Sequence, residues 1–147
     1  MRFMEEPGVP QLRQVVLDST NPRLSAEFWR QLLGLTYREG HEPSNADAED
    51  PMDQDWLNLY TPAGDPCLAF QKVEELPRST WPDTGVPQQL HLDLTMPNVE
   101  ELNAVHSRIL SLGGELQFDR SDSIEEPLRV YVDRDGHPFC VFVVEAE

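Results

Sequence analysis

"PLRVYVDRDGHPFCVFVV", residues 127–144, and "WLNLYTPAGDPCLAFQKV", residues 56–73, are two versions of one design. Each carries two apolar, β-branched or aromatic runs around a turn of Gly, Pro and Asp, the pattern of a β-hairpin. Their second halves, "GDPCLAF" (64–70) and "GHPFCVF" (136–142), keep Gly, Pro and Phe at the same offsets. Similarity of this kind between halves decides a fold more firmly than any single propensity.

Working outward, the same plan precedes each hairpin. "LRQVVLD" (12–18) reads as a strand, and "STNPRLSAEFWRQLLGL" (19–35) as a helix. Ser19, Thr20 and Asn21 are cap-type residues, Pro22 suits a first turn, and Gly34 suits a stop. Leu24, Phe28, Leu32 and Leu35 mark its apolar face, which Trp29 and Leu33 broaden. "TYREG" (36–40) is a short strand. In the second half "QLHLDLTM" (89–96) is a strand, "PNVEELNAVHSRILSLGG" (97–114) a helix and "ELQFD" (115–119) a strand. Gln14 precedes Asn21 by seven residues, as His91 precedes Asn98. Each half therefore reads β-α-β-β-β, giving an α+β fold of two tandem modules at 12–74 and 89–145. Between them "ELPRSTWPDTGVPQ" is proline-rich and without period, a linker over 75–88.

The 147 residues suit a single domain over 1–147, and 39% hydrophobic residues suffice for a core. A formal charge of −16 would repel phosphate backbones and anionic lipid, so neither nucleic acid nor membrane is an expected partner. No apolar run approaches the roughly 20 residues of a membrane span, and the start lacks a signal-peptide core. A cytoplasmic protein is expected. Cys67 and Cys140 are too few and too far apart for a disulfide scaffold or structural zinc site. "HEPSNADAEDPMDQD" (41–55) carries acids without bases and lacks the glycine and final glutamate of a calcium loop, so it reads as a solvated loop or lid.

Two β-α-β-β-β modules, the entry "VVLDSTNPRLSAEFWRQLLGL" and the closing "VDRDGHPFCVFVV" together resemble the vicinal oxygen chelate superfamily of glyoxalases, bleomycin resistance proteins and extradiol dioxygenases. Small glyoxalase-like domain proteins are the most similar, through "LHLDL" and the "F-W…LLG" helix. The resemblance implies strongly curved mixed sheets that form a cleft, and modules that pair within or between chains, hence a homodimer. In the family's metal enzymes the ligands come from the first and last strand of each module. Carried over by position these places are Gln14, Leu68, His91 and Cys140. Leucine donates to no metal and the usual glutamates are missing. The expectation is therefore a small-molecule-binding protein without a complete metal site and without a cofactor. A divalent metal, where present, would rest on Gln14 and His91, making a lyase, isomerase or dioxygenase of the glyoxalase type the alternative.

Strand parity assigns the cleft side. With Leu90, Leu92 and Leu94 toward the helices, His91, Asp93 and Thr95 face the cleft. The same reasoning gives Gln14, Val16 and Asp18, then Trp56, Asn58 and Tyr60, then Arg129 and Tyr131, with Cys140 and Phe142 as a wall and Leu68 and Phe70 opposite. These residues make an aromatic-lined pocket with a few polar groups. Arg129 would hold a carboxylate or phosphate, or pair with an acid. His91 and Asp93 are candidates for a general base with its neighbour, in a metal-free enzyme, or for plain hydrated residues on a sheet face. Cys140 reads as a reduced structural thiol, and His41, His106 and His137 receive no chemical role.

Overall fold

The structure is a computed structural model that describes residues 7–43 and 55–145. Its elements are β1 (Val15–Ser19), α1 (Pro22–Leu33), β2 (Thr36–Tyr37), β3 (Trp56–Tyr60), β4 (Pro66–Lys72), β5 (Leu92–Met96), α2 (Val99–Leu112), β6 (Glu115–Arg120), β7 (Leu128–Val132) and β8 (Pro138–Val143). They form two four-stranded mixed sheets of orders β1-β4-β3-β2 and β5-β8-β7-β6, the two β-α-β-β-β modules of the sequence reading. In each module the first strand pairs in parallel with the last, and the remaining pairs are antiparallel. A parallel pair needs a long crossover, which the helix supplies.

Both helices begin the same way. The side chains of Asn21 and Asn98 accept the backbone N–H of Leu24 at 3.3 Å and of Glu101 at 2.8 Å, satisfying donors that a helix start leaves open. Gly34, at φ 69°, ends α1 in the left-handed conformation that glycine adopts without strain.

The helix-facing sides of both sheets and both helices close on one hydrophobic core. Its centre is aromatic: Trp29 of α1 meets Phe139 of β8 at 5.0 Å, Phe28 meets Trp29 at 5.3 Å, and Tyr131 stacks on Phe139 at 5.5 Å. The first module's helix is thus packed into the second module's sheet. The buried face of α1 is Pro22, Ser25, Ala26, Phe28 and Trp29, whereas Leu24 is 47% exposed. Leu35 is buried as well and Leu32 and Leu33 pack against the core, so of the expected stripe Leu24 alone lies outside.

Two strands face differently from the sequence reading. Leu57 pairs with Phe70 and Leu59 with Leu68, but Tyr60 pairs with Pro66, so a bulge at Cys67 inserts one extra residue into β4. That insertion reverses the parity: Phe70 (0% exposed) and Leu68 (3%) lie in the core, and Ala69 and Gln71 take the other side. In β7, Arg129 and Tyr131 point toward α2 and not into a cleft. Arg129 donates to the Leu102 carbonyl at 3.3 Å and to Asn103 Oδ1 at 2.9 Å, while the Tyr131 hydroxyl lies 2.8 Å from His106 Nδ1. Val130 and Val132 therefore occupy the opposite face. Of the acidic stretch 41–55, residues 44–54 lie outside the described residues. Among the described residues no helix is long and apolar enough to cross a membrane.

Candidate functional site

On the side of each sheet away from the core, register brings equivalent residues together. In the first module Val16, Ala69 and Asn58 lie in one row; in the second the row is Asp93, Cys140 and Val130. Cys140 is thus matched by Ala69, not by Leu68, because the bulge at Cys67 moves the alignment by one residue. The first module has no donor at that place: a methyl group stands where the second module has a thiol.

Within the first module Gln14 Oε1 accepts Asn58 Nδ2–H at 3.0 Å, and Asn58 Oδ1 accepts Trp56 Nε1–H at 2.7 Å. Gln14, Asn58 and Trp56 form one hydrogen-bonded chain on the outer face. Tyr60, further along β3, is partly buried, and its hydroxyl accepts Arg38 Nη2–H at 3.3 Å. Phe142 follows Cys140 on the outer face of β8, paired with Thr95 and Leu128.

The second module carries the chemistry. His91 Nε2 lies 3.1 Å from Asp93 Oδ1, so these two side chains meet directly along the strand. Cys140 joins them through the in-register pairing of β5 with β8, and the nitrogen, oxygen and sulfur donors all lie within 4.8 Å of one another. Burial, then the charges of Asp93 and Glu126, push the Cys140 thiol above its ordinary pKa, so the isolated group is held as a thiol. Cys67 has no such company: it packs against the core, and burial raises its pKa. Both cysteines are free.

His91 also belongs to a cavity of about 390 Å³ between the two modules. One wall is β1 with Val16 and Asp18; another is the segment from Leu76 to His91; the third is the β7–β8 turn with Asp135 and His137. The turn is fixed from both sides. His137 Nε2 lies 2.7 Å from the Asp18 carbonyl oxygen, and Asp135 Oδ1 accepts the Thr20 N–H at 3.4 Å. The proline-rich 75–88 segment is held against the second module: Trp81 packs edge-to-face on Phe118 at 6.0 Å, Gln117 Nε2 donates to the Trp81 carbonyl at 2.6 Å, and Arg78 pairs with Glu115. A stretch that reads as a linker is thus a wall of the cavity. Its prolines carry the signal in retrospect, since fixed φ angles suit a strap as well as a spacer.

The donor set fits a metal ion. Imidazole, carboxylate and thiolate ligands at metal distances of about 2.0–2.3 Å stand roughly 3.5 Å apart around a tetrahedral ion, within reach of modest side-chain rotation here. His91 and Cys140 sit at strand positions expected from the sequence, while Asp93 is a third donor that positional carry-over omitted. Gln14, the other expected ligand, is engaged by Asn58.

Two tandem β-α-β-β-β modules with this topology define the vicinal oxygen chelate class, the glyoxalase, bleomycin resistance and dioxygenase fold. The glyoxalase-like domain family matches residues 14–142, and the chain belongs to that family. Among solved structures it is similar to the fosfomycin resistance protein FosX from Mesorhizobium loti, at 10% identity over 92% of this chain and 93% of that one, with a TM-score of 0.62. FosX from Listeria monocytogenes, complexed with Mn(II) and sulfate, matches at 14% identity over 92% and 93% of the chains, with a TM-score of 0.60. A glyoxalase/bleomycin resistance protein/dioxygenase family enzyme from Burkholderia phytofirmans matches at 13% identity over 90% and 97%, with a TM-score of 0.61. No curated protein matches the chain.

Proposed function

We propose that this protein binds a small organic molecule in the cavity beside His91. The observation that carries the reading is the double position of His91, which lines a cavity of about 390 Å³ and belongs to the His91–Asp93–Cys140 cluster. That volume lies in the range of small-molecule sites, and an apolar wall with a few converging polar groups is their usual make-up. The site differs from the aromatic cleft expected from the sequence, because Phe70 and Tyr131 are core residues and Arg129 is committed to α2. A thermal-shift screen of small aromatic and polar compounds tests it, since a ligand of the native state must raise stability, by about 2.7 kcal/mol at a hundredfold excess over Kd. Hits should lose their shift when Ser79, on the cavity wall, becomes Trp. Hits indifferent to that change would place the ligand elsewhere.

A second reading follows from the donor cluster: His91, Asp93 and Cys140 hold a divalent metal. When bound, such an ion polarises a ligand oxygen and stabilises charge developing there. Asp93 then orients His91 or completes the ligand set, and Cys140 supplies the thiolate. The protein purified without chelator is expected to retain close to one equivalent of metal. Replacement by Co²⁺ should give a thiolate charge-transfer band that Cys140→Ser abolishes. A Co²⁺ spectrum unchanged in Cys140→Ser, or metal retained in His91→Ala, would count against this reading.

Two copies are the assembly this reading supports. The outer sheet faces leave Val16 at 40%, Trp56 at 39% and Phe118 at 39% exposure, and a second copy would cover them.

A further inference from the structure

The cavity between the modules has one-sided chemistry. Its charged lining is acidic, Asp18 and Asp135, and among the described residues neither lysine nor arginine lines it. Asp18 has only the Gln71 amide as a side-chain partner, at a long 3.5 Å, and no cation pairs with it among the described residues. The two histidines do not reverse this balance. His137 Nε2–H donates to the Asp18 carbonyl oxygen at 2.7 Å, so that nitrogen is spent on the cavity wall. His91 directs Nε2 at Asp93. A ligand therefore meets the carboxylates of Asp18 and Asp135, with the apolar surfaces of Val16, Leu76 and Pro138 around them.

The backbone adds a second observation. Gln89, on the cavity wall, has φ 45°, a left-handed conformation that costs a non-glycine residue energy and tends to be kept at functional sites. Gln89 lies beside Gln88, Leu90 and His91, which line the same cavity.

We infer that the cavity takes an organic cation, an apolar body carrying a protonated amine that pairs with the Asp18 carboxylate. This rests on the reading of the cavity as a ligand site and names the class of ligand. A concave, largely apolar wall strengthens such a pair over its exposed counterpart, because charge-assisted hydrogen bonds gain where water is excluded. The net charge of −16 attracts any cation, so the test must separate a site from a field.

Three matched probes do so: 3-phenylpropylamine, 3-phenylpropan-1-ol and 3-phenylpropionic acid, titrated at salt high enough to screen the surface. Amide chemical shifts report the location. The amine should bind at one saturable site with shifts at Val16, Gln89 and Leu90, and about tenfold more tightly than the alcohol. The acid should not bind. Asp18→Asn should weaken the amine about tenfold and leave the alcohol unchanged, while Glu100→Gln, an exposed acid on α2, should change neither. Equal affinity for amine and alcohol, or an amine indifferent to Asp18→Asn, overturns the inference and leaves the cavity reading standing. Failure of all three probes to shift the cavity residues overturns both. The amine–alcohol comparison on the native protein stands without a variant, should Asp18→Asn misfold.

Discussion

Asp133 is 1% exposed, yet both of its carboxylate oxygens are used. Oδ2 accepts Trp29 Nε1–H at 3.1 Å, and Oδ1 accepts the backbone N–H groups of Asp135 and His137 at 2.9 Å each. One side chain therefore ties α1 of the first module to the β7–β8 turn of the second, the turn that walls the cavity. Burial raises its pKa, against the lowering effects of the His137 charge and of these hydrogen bonds. An acid whose native pKa is raised holds its proton more tightly folded than unfolded. Its contribution is full below the ordinary carboxyl pKa of about 3.9 and declines as pH rises toward the native value. Asp133→Asn turns an amide N–H₂ toward N–H donors and should cost about 1–3 kcal/mol. Denaturant titration across pH should show the gap between native protein and variant narrowing above about pH 4. A gap that widens with pH would mean the anion is the stabilised form.

At the scale of elements, β7 is where strand parity misleads. Leu128–Val132 is apolar on both faces, and Arg129 reads as the polar, outward residue of the run. Its register partner in the first module is Leu57, a core position, since Trp56 and Leu128 pair with Gln71 and Phe142 respectively. Arg129 is 8% exposed there because its guanidinium reaches past the strand to the α2 backbone, to Ser121 Oγ at 3.1 Å and to Asp119 Oδ2 at 3.2 Å. Those contacts need a planar fork, so Arg129→Lys should cost about 1.5–3 kcal/mol in denaturation. It should leave the binding of 3-phenylpropylamine unchanged, whereas loss of binding with stability intact would return Arg129 to the ligand. The same lesson holds for β4. The repeat "GDPCLAF"/"GHPFCVF" aligns Phe70 with Phe142 in sequence, but the bulge at Cys67 aligns Gln71 with Phe142 in space. The modules, their helices and the cap-type run Ser19–Asn21 were legible because they rest on period and spacing. A single inserted residue and a strand covered on both sides leave no such mark, and the contact of His91 with Asp93 and Cys140 depends on a strand pairing far along the chain.

At the scale of the whole molecule, the shared core decides which surfaces remain. Phe28, Trp29, Tyr131 and Phe139 draw the helix-facing sides of both sheets inward; on the opposite faces Ala69 and Val130 are buried, while Val16, Trp56 and Phe118 keep 39–40% of their surface exposed. A specific interface covers about 800 Å² per partner, and a second copy laid on these residues is the proposed way of covering them. Charge acts against it: two chains at −16 each repel. An apolar contact opposed by long-range repulsion has a recognisable salt dependence, because screening removes the repulsion and leaves the burial. Sedimentation velocity should therefore show twice the 16.8 kDa chain mass, with dissociation favoured at low salt and low concentration. Trp56→Lys and Val16→Lys should shift the equilibrium to monomer while circular dichroism stays native. A species that remains monomeric at high concentration and high salt would rule the dimer out. A dimer that weakens as salt rises would mean ion pairs, not these apolar residues, hold the copies together.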